Sequence, residues 1–278
     1  MIRSLAALAA TAAALLLPAS PAAAQARIAW EGAVRAEVTV LPGWRDAGQA
    51  RHMAALQVRL APGWKTYWRA PGEGGIPPVL TLDGAQNIEG FAMHWPAPIV
   101  FLTAGMKTVG YRDEVILPLE LALHDDRAPA RLRGHLELGI CEEICIPVRV
   151  SLDADLPAET RTRDPQIVAA LASRPVPARE QGLVRATCTM SPGRRGLEVT
   201  ARLDMPALPG GGEFVVFETG NPDHWVGQAK SAREGRNLTA RAEIVAMSGG
   251  GALVERSALT ITVIGARGAV EVTGCPAP

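Results

Sequence analysis

The chain has 278 residues, and its 28 basic residues balance 28 acidic ones. This balance provides no basic face, so neither nucleic acid nor an anionic membrane surface is expected as a partner. About 250 residues remain after a leader segment, which fits one large β domain or two domains of ordinary size.

The first 24 residues have the pattern of a cleaved signal peptide. Arg3 provides the positive start, an apolar stretch follows over residues 5–17, and the small residues 22–24 form a cleavage site. No later stretch reaches the ~18 apolar residues that a transmembrane helix needs. We therefore expect an exported protein of the bacterial periplasm that has no membrane span of its own.

Alternation of apolar and polar residues predicts β-strands in the first half of the chain. Residues 52–60 place Met53, Leu56, Val58 and Leu60 among polar partners, and every second residue is small or apolar over 132–140 and 148–156. Such alternation is typical of antiparallel sheets with one buried face. The last two of these strands are joined by a short turn that contains Cys141 and Cys145.

One short helix interrupts this pattern, over residues 164–173. Asp164 suits an N-cap and Pro165 the first helical position, while Pro175 and Pro177 follow closely and favour termination. Strand patterns then resume, separated by glycine- and proline-rich turns, over residues 183–189, 197–203, 213–218, 238–245, 258–264 and 270–273. The predicted fold is all-β: a sandwich over 27–157, a helical linker over 158–178 and a second sandwich over 179–278.

The four cysteines allow three pairings. Proximity favours Cys141 with Cys145, which leaves Cys188 with Cys275 at the two edges of the second half. The chain-entropy estimate gives the short loop about 2 kcal/mol and the long loop about 4.5 kcal/mol. The long-range pair is therefore predicted to be a structural disulfide, and the short-range pair, which stabilises little, is a candidate for chemistry.

Thiol–disulfide exchange needs a sulfur that a thiolate can attack. Glu142 and Glu143 lie between the cysteines, and their charges disfavour thiolates, which favours a stable disulfide and a dithiol that donates electrons. Two alternatives remain at this point. One is an ordinary structural turn disulfide; the other is a metal site with His135 or His124, although two thiols without a second close pair are a weak zinc signal. No metal or cofactor is expected.

Three segments together resemble a known family. They are residues 63–69, with the sequence GWKTYWR; residues 105–119, which begin GMKTVGYRD; and residues 141–147, with the sequence CEEICIP. In this order they are similar to the periplasmic N-terminal domain of the thiol:disulfide interchange protein DsbD and its relative ScsB.

The resemblance implies an immunoglobulin-like fold for each sandwich and assigns roles to individual residues. Cys141 and Cys145 correspond to the family's redox pair. Tyr67 is expected to line the cysteine pocket, and Phe101 is a candidate for the aromatic residue of a cap over the disulfide. Tyr111 occupies a family motif position.

By the same resemblance, the protein relays electrons in the periplasm, as a component of protein-disulfide reduction. The cysteine spacing is shorter than in DsbD, and the family's membrane and thioredoxin-like domains are missing from the sequence. We therefore expect a separate membrane-embedded donor of the DsbD or ScsB type, with thioredoxin-fold proteins or isomerases as acceptors. The competing hypothesis is a non-enzymatic periplasmic adaptor whose disulfides are purely structural.

Overall fold

The computed structural model describes residues 25–46, 48–103 and 105–278. The predicted signal peptide lies outside these residues. The described chain consists mostly of β-strands with one α-helix, which confirms the all-β prediction. No helix in the described part is long and apolar enough to cross a membrane.

Within the described residues, the first half of the chain forms eleven strands in two sheets. Their bounds are β1 Gln25–Trp30, β2 Ala33–Arg45, β3 Arg51–Leu60, β4 Lys65–Tyr67, β5 Val79–Thr81, β6 Ile88–Met93, β7 Ile99–Thr103, β8 Met106–Arg112, β9 Glu114–Leu123, β10 Ala130–Cys141 and β11 Cys145–Leu156. One sheet has the order β1-β2-β3-β9-β6. The other has the order β11-β10-β4-β8-β7, and β5 also pairs with β10.

The second half forms two further sheets after helix α1, Pro165–Ala172, and a short 3₁₀ helix, Ala178–Gln181. Its strands are β12 Val176–Pro177, β13 Arg185–Pro192, β14 Leu197–Asp204, β15 Phe214–Glu218, β16 His224–Val226, β17 Lys230–Glu234, β18 Asn237–Ala246, β19 Thr260–Gly265 and β20 Gly268–Thr273. The sheet orders are β12-β20-β19-β15 and β13-β14-β18-β16, with β17 paired to β18.

The strands predicted from alternation are confirmed within a few residues. The pair around the cysteine turn is an antiparallel hairpin, β10 with β11, whose register runs from Ala130 opposite Leu156 to Cys141 opposite Cys145. Period-two patterning fixed this register, because a one-residue slip would expose the buried face of both strands. The hairpin therefore holds both cysteines at one end of the sheet.

Two main apolar cores fill the spaces between the sheets. The first takes its buried residues from both sheets of the first half, among them Leu56, Leu117 and Leu136. The second lies within the other half and surrounds the buried sulfurs of Cys188 and Cys275. Three residues of the second half also belong to the first core: Phe214, Ile264 and Ala269.

The predicted helix is confirmed as α1, and its N-cap is Asp164. The Asp164 carboxylate accepts hydrogen bonds from the backbone N–H groups of Gln166 and Ile167. Ile167 is fully buried and packs with Trp44 and Ala55 of the first half. The segment predicted as a linker is therefore attached to the five-stranded sheet along its apolar side.

A half-buried ion-pair network joins the two halves. The guanidinium of Arg69 donates to both carboxylate oxygens of Glu218 on β15, at 2.7 and 3.0 Å, and to Glu271 on β20 at 2.5 Å. The same guanidinium lies 4.4 Å from the centroid of the Trp68 ring. Because the pairing is bidentate and partly shielded from water, it constrains geometry more than a single exposed pair does.

A buried arginine–histidine pair lies at the end of β2. Nδ1 of His52 accepts from Nε of Arg45 at 3.4 Å, so Nε2 carries the proton and donates to the Pro42 carbonyl at 2.5 Å. Burial lowers the pKa of His52; the Pro42 carbonyl raises it in part, and the charges of Arg45 and Arg161 lower it further. The imidazole is therefore neutral in the folded protein.

This pair predicts a stability that falls in mild acid. Because the folded pKa is lowered, the unfolded chain binds a proton first, so the free energy of unfolding declines as pH drops below the unfolded value of about 6.5. The slope contributed by one histidine is at most about 1.4 kcal/mol per pH unit. Urea denaturation at several pH values should show a shallower slope for His52→Asn than for the wild type. The exposed His124, changed to Asn, is the matched control, and equal slopes for all three proteins would contradict the prediction.

Candidate functional site

The hairpin turn between β10 and β11 holds a disulfide between Cys141 and Cys145, whose Cα atoms are 4.2 Å apart. The two sulfurs differ in access to solvent. Cys141 is 0% exposed, whereas Cys145 is half-buried. A thiolate from another protein therefore has an approach to Cys145 that Cys141 does not offer.

The pleat of β4 explains why particular side chains surround this turn. Lys65 is the register partner of Cys141 on β10 and of Arg112 on β8, so these three side chains share one face of the sheet. Thr66 points to the opposite face, and the neighbouring Trp68 lies fully buried in the first core. The site is therefore built on the outer face of the sheet, away from the main core.

Tyr67 lies beside the disulfide. Its hydroxyl lies 2.8 Å from Sγ of Cys145, and because a disulfide sulfur carries no hydrogen, the hydroxyl is the donor. Burial raises the pKa of Tyr67, so the phenol keeps its proton at neutral pH. Its ring packs with Phe101 and Cys141 in a small apolar cluster, to which Ile76 and Cys145 are added at the edge.

Two glycines make room for the Tyr67 ring. A Cβ on Gly139 of β10 would lie 2.8 Å from Cβ of Ile76 and 3.1 Å from the ring, and a Cβ on Gly75 would lie 2.7 Å from the ring. Backbone N–H of Gly139 also donates to the Ile76 carbonyl at 3.2 Å. The tyrosine is thus held between β10 and residues 71–78, which we call the covering segment.

Phe101, the candidate for the cap, lies on β7 and packs against Cys141. Its ring is nearly fully buried and lies between two cations, with Lys65 Nζ at 5.3 Å and the Arg112 guanidinium carbon at 5.5 Å from the ring centroid. Cation–π attraction of this kind is worth about 0.5–1 kcal/mol at partly exposed sites. The two cations therefore help hold the ring against Cys141.

Glu142 and Glu143 are only part of the charge around the cysteine pair. Both glutamates are exposed in the turn. The structure adds Lys65, whose Nζ donates to the backbone carbonyl of Glu142 at 3.1 Å, and Arg112 beyond it. These two cations were missed because their proximity arises from pairing between distant strands; the only sequence signal is that Lys65 precedes Tyr67 by two residues and so shares its face.

Tyr111 does not join the cysteine cluster. It is the register partner of Thr66, which places it on the inner face of the sheet, and it belongs to the first core. Its hydroxyl donates to the Pro96 carbonyl at 2.8 Å, and burial raises its pKa well above the ordinary value. The predicted pocket candidates thus separate into Tyr67 and Phe101 at the disulfide and Tyr111 in the interior.

Cys188 and Cys275 form the second disulfide, with Cα atoms 5.5 Å apart. Both sulfurs are buried in the second core, and the bond joins β13 to the segment that follows β20. As the sequence pattern predicted, the bond ties the start of the second half to its end.

In the part of the chain that the structure describes, no three His, Cys, Asp or Glu residues are grouped closely enough to hold a metal ion. His135, which the metal alternative invoked, has other contacts. Its Nε2 accepts from Arg149 at 2.8 Å, and its Nδ1 lies 3.4 Å from Asp83.

Two comparisons with known proteins gave matches. Residues 34–157 match the family model described as the N-terminal region of thiol:disulfide interchange protein DsbD, which confirms the predicted resemblance for this part of the chain. The fold is similar to the crystal structure of the N-terminal periplasmic domain of ScsB from Proteus mirabilis. That match has a TM-score of 0.69 and 24% identity, and it covers 92% of this chain and 99% of the other. The search of curated proteins gave no significant match.

The tight contact around Gly139 predicts a specific defect. Gly139→Ala places a Cβ against Ile76 and the Tyr67 ring, so we expect a loss of about 1–3 kcal/mol in the free energy of unfolding and displacement of the phenol from Cys145. Urea denaturation and the fluorescence of the aromatic cluster measure both effects. Gly90 on β6 has open space around its Cβ position, so Gly90→Ala is the matched control. Equal stabilities of the two variants would contradict the predicted packing.

The difference in exposure predicts selective reduction. Millimolar dithiothreitol at neutral pH should open the Cys141–Cys145 bond alone, because both other sulfurs are buried. Mass tagging of free thiols should then show two tags per chain and nearly unchanged stability. Removing the other bond, by Cys188→Ala with Cys275→Ala, should cost about 4.5 kcal/mol. Four tags under mild reduction would refute the assignment.

Proposed function

We propose, from the match of residues 34–157 to the DsbD N-terminal family, that this protein carries out thiol–disulfide interchange through Cys141 and Cys145. The observation that carries the proposal is the asymmetry of the pair. Cys145 is half-buried and lies beside the Tyr67 hydroxyl, whereas Cys141 is fully buried and packs against Phe101. A purely structural turn disulfide has no need of this arrangement.

The reaction consists of two exchanges. A thiolate of a reduced donor attacks Sγ of Cys145, the bond to Cys141 breaks, and Cys141 leaves as a thiolate. The donor's second thiolate then attacks the mixed disulfide and releases Cys145. The donor becomes oxidised, Cys141 and Cys145 hold two electrons as a dithiol, and the thiolates take protons from solvent. The same steps in reverse order pass the electrons to an oxidised acceptor.

Phe101 and Tyr67 have separate roles in this proposal. Phe101 covers Cys141, so that attack occurs at Cys145. Tyr67 donates a hydrogen bond to Cys145, which favours negative charge on that sulfur when it is released. Glu142 and Glu143 oppose thiolate formation and favour a dithiol that gives up its electrons.

The wider setting is part of the same proposal. The chain is exported to the periplasm by residues 1–24 and folds as two immunoglobulin-like sandwiches over 27–157 and 179–278, with a linker over 158–178. The core that contains Cys188 and Cys275 takes its buried residues from the second half alone, which supports this division. The donor is a separate membrane-embedded protein of the DsbD or ScsB type, and the acceptors are periplasmic thioredoxin-fold proteins. In this setting the protein acts as a component of protein-disulfide reduction.

Trapping of the mixed disulfide tests the proposal. Cys141→Ser leaves Cys145 free and should accumulate a covalent complex with thioredoxin-fold partners, visible on non-reducing gels and by mass spectrometry. Cys145→Ser should trap far less, because its remaining sulfur is buried. Cys188→Ser, which leaves Cys275 as an unpaired thiol outside the turn, is the control for unspecific thiol capture.

The redox state in cells gives a second measurement. Thiol-specific mass tags should find Cys141 and Cys145 partly reduced when a membrane donor is present and oxidised when the donor gene is deleted. If the pair is never reduced and neither serine variant traps a partner, the interchange proposal fails. That result would favour the alternative, a non-enzymatic periplasmic adaptor with permanent disulfides.

A further inference from the structure

Lys65 is a buried cation next to the disulfide. It is 8% exposed, and within the described residues its ammonium group contacts the Glu142 carbonyl and the face of Phe101, neither of which is a carboxylate. Burial lowers the pKa of Lys65, the charge of Arg112 lowers it further, and Glu142 opposes both effects. A lysine that is buried without ion pairing costs free energy unless a negative charge appears nearby during function.

The structure shows where that charge would appear. Lys65 is the cross-strand partner of Cys141, and both side chains lie on the outer face of the sheet. The Glu142 carbonyl oxygen is 3.1 Å from Lys65 Nζ and 4.0 Å from Sγ of Cys141. The ammonium group and the buried sulfur therefore approach the same oxygen atom.

We infer that Lys65 is a positioning residue whose charge stabilises the Cys141 thiolate during disulfide exchange. This inference rests on the proposed function. When a partner thiolate attacks Cys145, the S–S bond breaks and its electron pair goes to Sγ of Cys141. That sulfur is fully buried, and a thiolate without a nearby cation is strongly disfavoured there. Lys65 supplies the cation, and a leaving thiol with a lower pKa departs faster.

The other charged and titratable groups around the pair do not replace it. Arg112 is exposed and lies beyond Lys65 on β8, against the Phe101 ring. Tyr67 donates to Cys145 rather than to Cys141. Glu142 and Glu143 carry the opposite charge, so Lys65 offsets their effect at the buried sulfur.

Titration of a single thiol tests the inference without any partner protein. In the Cys145→Ser background, the absorbance of the Cys141 thiolate near 240 nm is followed against pH, with the second disulfide intact. Lys65→Gln should raise the pKa of Cys141 by about one unit or more. Lys65→Arg should keep the pKa near that of the parent, because it keeps the charge.

Lys107→Gln is the matched control. It removes a lysine of the same sheet that lies 5.7 Å from Phe214, away from the cysteines, and should leave the Cys141 pKa unchanged. In the background with all cysteines, Lys65→Gln should also slow reduction of the disulfide by dithiothreitol several-fold at neutral pH, while Lys107→Gln should not.

A measurement on unaltered Lys65 covers the case in which Lys65→Gln does not fold. In the Cys145→Ser protein, the ¹³C signal of the Lys65 ε-carbon should shift at the pH where Cys141 ionises. An unchanged Cys141 pKa in folded Lys65→Gln, or a lysine signal without that inflection, would overturn the inference. These measurements need no donor or acceptor protein. They therefore test the role of Lys65 even if the trapping experiment finds no partner.

Discussion

The alternation of side chains along β4 is the constraint on which the site depends. Trp64 and Trp68 are buried in the first core, and this anchors the segment from both sides. Lys65 and Tyr67 must then point to the other face, where β10 brings Cys141 alongside. A three-residue strand thereby sets the position of the cation and of the phenol relative to the disulfide.

The charges around the pair act in opposite directions, and their distances decide which sulfur each one affects. The glutamates of the turn are exposed, so water screens their effect on the sulfurs. Lys65 is buried against Phe101 and the Glu142 carbonyl, where screening is weaker and a charge has a larger effect. The stability of the disulfide and the rate of its opening are therefore set by different groups. The exposed glutamates of the turn favour a stable disulfide, and the buried Lys65 lowers the barrier to opening it.

Much of the fold was predictable because its information is local. Alternation over 132–140 and 148–156 fixed the hairpin and the place of the cysteines, and Asp164 with Pro165 fixed the helix start. Tyr67 and Phe101 were found through the family resemblance. Lys65 and Arg112 were not, because their approach to Cys141 follows from the pairing of β4 with β8 and β10, which are distant in sequence. The inward orientation of Tyr111 follows from the same pairing.

The second half of the molecule is connected to the disulfide through the covering segment. Arg69, just before this segment, is bound to Glu218 and Glu271 of the second half. Within the segment, the Glu73 carboxylate accepts from the Gln228 backbone at 3.5 Å, and the Ile76 carbonyl accepts from Gly139 beside Tyr67. The covering segment is thus bound to the second half of the chain through Glu73 and to the first half through Ile76. The second half of the chain therefore contacts the cover of the disulfide without a residue of its own in the cysteine cluster.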